Sequence, residues 1–331
     1  MRGVIGDTGQ GDMQMSDQDA AELAIVIVSY NTREMTLACL ASVFAQTQTP
    51  FEVVVVDNAS TDGSAAAIAR EFPQVTLVAE RINHGFAPAH DIAMPLTSAP
   101  WLLLLNPDTV VLDRALDKLL DFAKRTPDAG IWGGRTVFAD GTLNASSCWG
   151  RMTLWSTFCR TSGLSGLFPA SPLMNSEAMG RWPRDTERDV DIVTGCLFLL
   201  KRATWDRLGG FDPAFVMYGE EVDLCMRAKA VGMQPRVTPD AVIVHYGAAS
   251  DTVRPDKMVR LLRAKVELIK RHFPAHSRWL GRQLFRLWPL SRAVALGVAG
   301  RLTGRADWRE KAGEWRAVWG RRGEWQGGLG N

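Results

Sequence analysis

The sequence predicts an α/β protein, with a mostly parallel, Rossmann-like sheet flanked by helices and a helical C-terminal extension. Three observations carry that expectation. Residues 24–30, 51–56, 75–79 and 101–105 are short apolar runs without polar alternation, as expected of strands buried on both faces. Helix-compatible segments separate them, the pattern of βαβ units. Beyond residue 253 the composition changes abruptly, with 18 Lys and Arg against 6 Asp and Glu and six of the twelve tryptophans.

The first run, Ala24-Ile25-Val26-Ile27-Val28-Ser29-Tyr30, precedes a helical pattern over 32–45. Phe51-Glu52-Val53-Val54-Val55-Val56 is the second strand, and a short helix over 62–71 leads to the third at 75–79. A helix over about 87–96, with Pro88 near its start, leads to Trp101-Leu102-Leu103-Leu104-Leu105. Past Gly130 the pattern loosens. Asp140-Gly141 marks a hairpin turn, and 150–186 reads as a long irregular loop, a length that signals function or mobility. Strand character returns at 190–200, followed by a helix over 218–231, short strands at 235–238 and 241–245, and an amphipathic helix over 255–273 ended by Pro274. The expected organisation is a mobile extension over 1–21, a nucleotide-binding half over 22–130, an acceptor-binding half over 131–273 and a basic tail over 274–331.

At 331 residues and 46% apolar composition, the chain can build a sizeable core. The net charge of +2 hides an acidic body, because residues 1–253 hold 20 basic and 30 acidic side chains. Five scattered cysteines without CxxC spacing suggest neither a disulfide framework nor a zinc site, and so a reducing compartment. Residues 1–21 lack the apolar core of a signal peptide, and no run of about 20 uncharged apolar residues predicts a transmembrane helix. The phosphate loop of ATPases and the G-x-G-x-x-G fingerprint after the first strand are both missing, which disfavours those nucleotide-binding classes.

Polar clusters follow three of the strands: Ser29-Tyr30-Asn31, Asp57-Asn58-Ala59-Ser60 and Asn106-Pro107-Asp108. Parallel strands bring such clusters into one crevice at their carboxyl ends. There Asp108 can hold a divalent cation, and Asp57 can accept hydrogen bonds from a base or ribose; each also fits a plain turn-forming role. Without a glycine-rich loop, a nucleotide diphosphate requires a metal. Glu220-Glu221-Val222-Asp223 opens a helix, where acidic residues favour the helix dipole; the same carboxylates suit a general base. His245 ends a strand and reads either as a structural imidazole or as a second metal ligand.

Taken together, the motifs resemble the rhamnosyltransferase-like branch of family 2 glycosyltransferases. They are Ile-Val-Ile-Val-Ser-Tyr-Asn at 25–31, Val-Val-Asp-Asn-Ala-Ser-Thr-Asp-Gly-Ser at 55–64, Asn83-His84-Gly85-Phe86-Ala87, Leu-Asn-Pro-Asp at 105–108, Gly-Gly-Phe-Asp at 209–212, Glu-Glu-Val-Asp-Leu-Cys-Met-Arg at 220–227, and His245. The resemblance spans about 23–273. It implies a GT-A fold, a nucleotide-sugar donor, Mg²⁺ or Mn²⁺, and inversion at the anomeric carbon. It assigns Ser29, Tyr30, Asn31, Asp57, Asn83, Asn106 and Asp108 to the donor, and Asp108 and His245 to the metal. Glu221 becomes the base, with Glu220 as the alternative. The chain departs from the pattern in having Asn106 for the first acidic metal residue, Glu221 for the usual Asp, and His90 where Asn is common.

The implied activity is transfer of a sugar, best matched by L-rhamnose from dTDP-L-rhamnose, to a glycan or polyprenyl-diphosphate-linked acceptor in cell-surface or cell-wall polysaccharide synthesis. A catalytically inactive nucleotide-sugar-binding or scaffold protein is the alternative. Arg and Trp interleave with apolar residues over 278–325, which suits an amphipathic helix at the inner face of the plasma membrane. Packing of that tail on the catalytic domain is the other expectation. No nucleic-acid module is recognisable. The expected location is cytoplasmic and peripheral to the membrane.

Overall fold

The structure is a computed structural model and describes residues 20–247 and 254–330. The expected extension over 1–21 therefore falls almost wholly outside the described residues. The main sheet contains eight strands along its path: β1 (Leu23–Ser29), β2 (Phe51–Asp57), β3 (Thr76–Ala79), β4 (Trp101–Leu105), β5 (Thr109–Val111), β6 (Ile131–Val137), β7 (Leu197–Lys201) and β8 (Arg236–His245). Their order is β3-β2-β1-β4-β7-β6-β8-β5. β3, β2, β1 and β4 are mutually parallel, β7 runs antiparallel to β4 and β6, β8 is parallel to β6, and β5 closes the far edge antiparallel to β8.

Strand periodicity explains why the apolar runs do not alternate. Leu23, Ile25 and Ile27 of β1 pack into one core, while Ala24, Val26 and Val28 pack into another. β4 divides in the same way, with Trp101, Leu103 and Leu105 on one face and Leu102 and Leu104 on the other. The first face is covered by α1 (Arg33–Gln46), α2 (Ser64–Glu71) and α4 (Ala115–Arg125). The second is covered by α3 (Phe86–Ala93), α7 (Arg202–Leu208) and α8 (Glu220–Ala230). With each face burying a row of side chains, every residue of β1 and β4 is removed from water.

Two expectations are corrected. The segment 150–186 holds two helices, α5 (Leu154–Ser162) and α6 (Leu164–Leu167). A capping box between Thr153 and Ser156 starts α5, and Gly163 at φ 86° ends it. These signals are short and set among Ser, Pro and Gly, so the surrounding composition hides them. The short strands expected at 235–238 and 241–245 are one strand, β8, whose register against β6 shifts between Val237 and Val242.

The C-terminal region forms α9 (Arg254–His272), α10 (Ala275–Thr303), α11 (Ala306–Gly320) and α12 (Arg322–Trp325). α9 belongs as much to the tail as to the body. Its Val259, Leu262, Val266 and Ile269 share a core with Phe285, Trp288, Val318 and Trp325, while its Ala264 and Leu268 pack on Phe215. Polar contacts fasten α9 to the body: Arg271 pairs with Asp212, and His272 Nε2 lies 2.8 Å from the buried Asp223, which also accepts from Arg227. The segment 278–288 is the first part of α10, with Phe285 and Trp288 buried and Trp279, Leu280 and Leu287 exposed. Thr161 of α5 donates to the Leu284 carbonyl at 2.9 Å. Among the described residues no helix is long and apolar enough to cross a membrane.

Candidate active site

The carboxyl ends of β1, β2 and β4 open on a cavity of about 510 Å³. Tyr30, Asn83, Asn106, Asp108, Glu220, Glu221 and His245 all line it, so seven of the ten side chains singled out in the sequence converge there. Ser29, Asn31 and Asp57 do not. The alternation of β1 places Ser29 on the α1 side with Ile25 and Ile27, where its hydroxyl is fully buried and bonds to Thr36 at 2.9 Å. Its contribution is its carbonyl, which accepts from the Asn58 amide at 2.8 Å. Asn31 clasps the adjacent loop: its amide donates to Ser60 and its side-chain oxygen accepts from the Thr61 amide. Asp57 ends β2 just behind the wall, 2% exposed, with Oδ2 accepting from the Ser60 amide and Oδ1 without a hydrogen-bond partner.

Asn58, which the motif contained but no role had been given, organises the loop after β3. Its side-chain amide donates to Asn83 Oδ1 and to the Gly85 carbonyl, and its oxygen accepts from the His84 amide. This holds Gly85 at φ 87°, where an added Cβ would lie 2.3 Å from Val216 Cγ1. The Phe86 amide then reaches the Val216 carbonyl at 2.8 Å. The loop after β3 is thereby joined to the chain entering α8. His90, one turn into α3, is buried between Phe86 and Phe211 and bonds through Nδ1 to the Phe86 carbonyl. Burial pushes its pKa down to about 4 against that bond, so it serves as a neutral core residue.

The metal-type pair follows from strand pairing. β5 and β8 align Thr109 opposite His245, and the Tyr246 amide bonds to the Asp108 carbonyl at 3.1 Å. This sets His245 Nε2 3.5 Å from Asp108 Oδ1. Burial opposes protonation of His245, but hydrogen bonds to Asp108 and Cys196 prevail and raise its pKa to about 10. A cation there would replace that proton in offsetting the Asp108 charge. His245 Nδ1 and Asn106 Oδ1 are buried without partners. Among the described residues no three or more His, Cys, Asp or Glu side chains gather into a complete metal cage, so two protein ligands would leave positions open for ligand oxygens.

The carboxyl pair sits at the first turn of α8. Tyr218 and Gly219 are both left-handed, at φ 71° and 94°, and this sharp turn points Glu220 and Glu221 into the cavity. Oε2 of each is buried without a hydrogen-bond partner. Burial raises both pKa values. Glu220 is raised further because it also faces the Glu221 charge, whereas Glu221 accepts backbone N–H bonds at the helix start and is drawn down by Lys265. Lys265 and the backbone amides thus favour the charged form at Glu221 over Glu220. Lys265, on α9, was not anticipated from the sequence. Burial and Arg160 bring its pKa down to about 8, opposed by Glu177 and Glu221.

A parallel-centred sheet with a carboxylate–imidazole pair and a carboxyl pair around one cavity is the arrangement expected of a GT-A fold. Residues 24–178 match the family model described as Glycosyl transferase family 2. That span is a family 2 glycosyltransferase domain, and rhamnosyltransferases are among the chain's relatives. It is 29% identical over 240 residues to an N-acetylglucosaminyl-diphospho-decaprenol L-rhamnosyltransferase of Mycobacterium tuberculosis, covering 69% of this chain and 77% of the relative. The O-antigen biosynthesis protein RfbC of Myxococcus xanthus is 30% identical over 234 residues, 68% of this chain and 17% of the relative. The fold is shared with the mannosyltransferase PcManGT of Pyrobaculum calidifontis, solved with GDP-Man and Mn²⁺. That likeness has a TM-score of 0.57 at 19% identity, over 92% of this chain and 88% of that one.

Proposed function

We propose that this glycosyltransferase moves L-rhamnose from dTDP-L-rhamnose to a hydroxyl of a polyprenyl-diphosphate-linked glycan, with inversion and with a divalent ion. The observation carrying the catalytic part is the carboxyl pair, Glu220 and Glu221, in a cavity that also holds Asp108 and His245, with Glu221 the member whose charged form Lys265 and backbone N–H groups favour. Glu221 takes the acceptor hydroxyl's proton as that oxygen forms its bond to the anomeric carbon. The bond from that carbon to the phosphate oxygen breaks in the same step, and the nucleoside diphosphate leaves. Asp108 and His245 would hold Mg²⁺ or Mn²⁺, with Asn106 beside them. When bound, that ion would offset charge on the departing diphosphate. Tyr30, 40% exposed at the mouth, offers a face to the nucleotide, and Asp57 Oδ1 offers a free acceptor. The Mycobacterium tuberculosis relative supplies the choice of sugar and acceptor class.

We further propose that the enzyme works at a membrane surface. Leu280, Leu287, Val294, Val298 and Leu302 lie on one face of α10 and are all exposed. α6, whose Gly166 faces Arg292, adds exposed Leu167 and Phe168. Apolar side chains among arginines are the composition of an interfacial helix. A turnover assay tests the activity: dTDP release from dTDP-L-rhamnose with an N-acetylglucosaminyl-diphospho-prenol acceptor. Acceptor-dependent release abolished in Glu221→Gln is expected. Transfer of a different sugar, with none of rhamnose, would overturn the donor assignment.

A further inference from the structure

A cavity of about 300 Å³ lies in the C-terminal region, between α9, α10 and the end of α12, and shares no lining residue with the carboxylate-lined one. Val266 and the fully buried Trp325 give it an apolar wall that belongs to the core joining these helices. Arg282 and Arg286, one turn apart on α10, give it a cationic side, and Gln326 lines it as well. The wall is fixed in place. Trp325 Nε1 donates to the Val318 carbonyl at 3.1 Å, and Arg282 Nη2 and Lys270 Nζ reach the Gln326 and Gly327 carbonyls at 3.4 Å.

Three polar atoms of this cavity are buried without a hydrogen-bond partner: Nε of Arg282, Nε of Arg286 and Oε1 of Gln326. Glu267, next to Val266, is already engaged by Lys270, Arg271 and the Leu329 amide. Like charges at i and i+4 oppose each other on a helix, and enclosed donors without acceptors lose hydration. One anion between the two guanidinium groups answers both, and paired guanidinium forks match the oxygens of a phosphate. The Gln326 amide can turn its NH₂ to the same oxygens.

The surroundings indicate where that phosphate comes from. Trp279, Gln283 and Arg286 fall on one side of α10, spaced four and three residues apart. Gln283 lines the cavity, and Trp279 is 70% exposed. Leu280 and Leu287, three residues before Gln283 and four after it, are exposed too. A free phosphate makes no use of an indole and two leucines at the rim. A phospholipid sets its phosphate at the depth where Trp resides and its acyl chains where Leu enters. We infer that this cavity seats the phosphate of a membrane phospholipid headgroup, held by the guanidinium groups of Arg282 and Arg286 with the Gln326 amide beside them. The inference rests on the proposal that the enzyme works at a membrane surface, gives that contact a specific ligand, and is independent of the catalytic reading.

The full chain is titrated with vesicles of phosphatidylglycerol and phosphatidylcholine and, calorimetrically, with glycerol 3-phosphate as a soluble headgroup. Arg286→Gln and Arg286→Lys are compared with wild type and with Arg301→Gln, which removes the same charge at an exposed position of the same helix. Arg286→Gln should weaken vesicle binding roughly 10- to 100-fold, the range for losing a charged hydrogen-bond partner. Arg301→Gln should cost about fivefold, the share of one charge near an anionic surface. Arg286→Lys keeps the charge but not the fork, so it should recover no more than that about fivefold share. The soluble headgroup, lacking acyl chains, should bind more weakly than the vesicles. Equal losses in Arg286→Gln and Arg301→Gln, or full recovery in Arg286→Lys, would make the attraction one of diffuse charge; that overturns the inference and spares the membrane proposal. No vesicle binding by the wild type defeats both, and Arg286-dependent binding of glycerol 3-phosphate in that case reassigns the cavity to a soluble phosphate.

Discussion

Replacing Glu221 by Gln keeps shape and removes the base, and the neighbouring Glu220→Gln supplies the control. The two carboxyls start the same helix and are both buried, yet their surroundings differ: Glu221 faces Lys265 and backbone amides, and Glu220 faces Glu221. The charged form is therefore favoured at Glu221 over Glu220, and an amide at Glu220 replaces the carboxyl that ionises less readily. Loss of a positioned general base costs about 10²- to 10⁴-fold in kcat, or roughly 3–5 kcal/mol of barrier. Glu221→Gln should show that loss with donor affinity retained, and Glu220→Gln should stay within about tenfold of wild type, under 1.4 kcal/mol. The acid limb of the kcat/KM profile reports the base of the free enzyme. Lys265→Met removes a cation that favours the ionised Glu221, so it should move that limb to higher pH. An inactive Glu220→Gln beside an active Glu221→Gln, or a limb that Lys265→Met leaves in place, would refute the assignment.

Two further outcomes are expected. The folded chain refuses a proton at His90, whose pKa falls from 6.5 to about 4, while the unfolded chain accepts one near 6.5. Stability is therefore unaffected above pH 6.5 and declines as pH falls toward 4, by roughly 3 kcal/mol at full effect. His90→Asn should lower stability at pH 7 through lost packing but flatten that decline; urea unfolding at pH 7 and 4.5 reads it, and a pH-independent difference between the proteins would contradict it. For the membrane face, Leu287→Ser, Val294→Ser and Val298→Ser together should weaken sedimentation with anionic vesicles by roughly 100-fold, taking about 1 kcal/mol for each half-exposed side chain. Unchanged vesicle binding would remove the membrane proposal.

The sheet was legible because its physics is local. A strand covered by helices on both sides reads as an unbroken apolar run, and 24–30, 51–56 and 101–105 became β1, β2 and β4 with small boundary shifts. The motif residues were legible because strand ends gather at one edge of a parallel sheet. What the sequence withheld depends on tertiary partners. Ser29 differs from its neighbours only in which face the strand presents, and Lys265 matters only because α9 folds back beside α8. The tail tryptophans illustrate the same limit: an interfacial helix and a packed helix share a composition. Here Trp288 and Trp325 are buried while Trp279 is 70% exposed, a division that only the packing of the helices decides.

The central claim is that Asp108 and His245 assemble a metal-assisted nucleotide-sugar site. Calorimetric titration of dTDP-L-rhamnose into the full chain, with and without Mn²⁺, and into Asp108→Ala, tests it most directly. The account predicts binding that strengthens with Mn²⁺ in the wild type and loses that dependence in Asp108→Ala. Equal binding with and without the ion, undisturbed by Asp108→Ala, would contradict it.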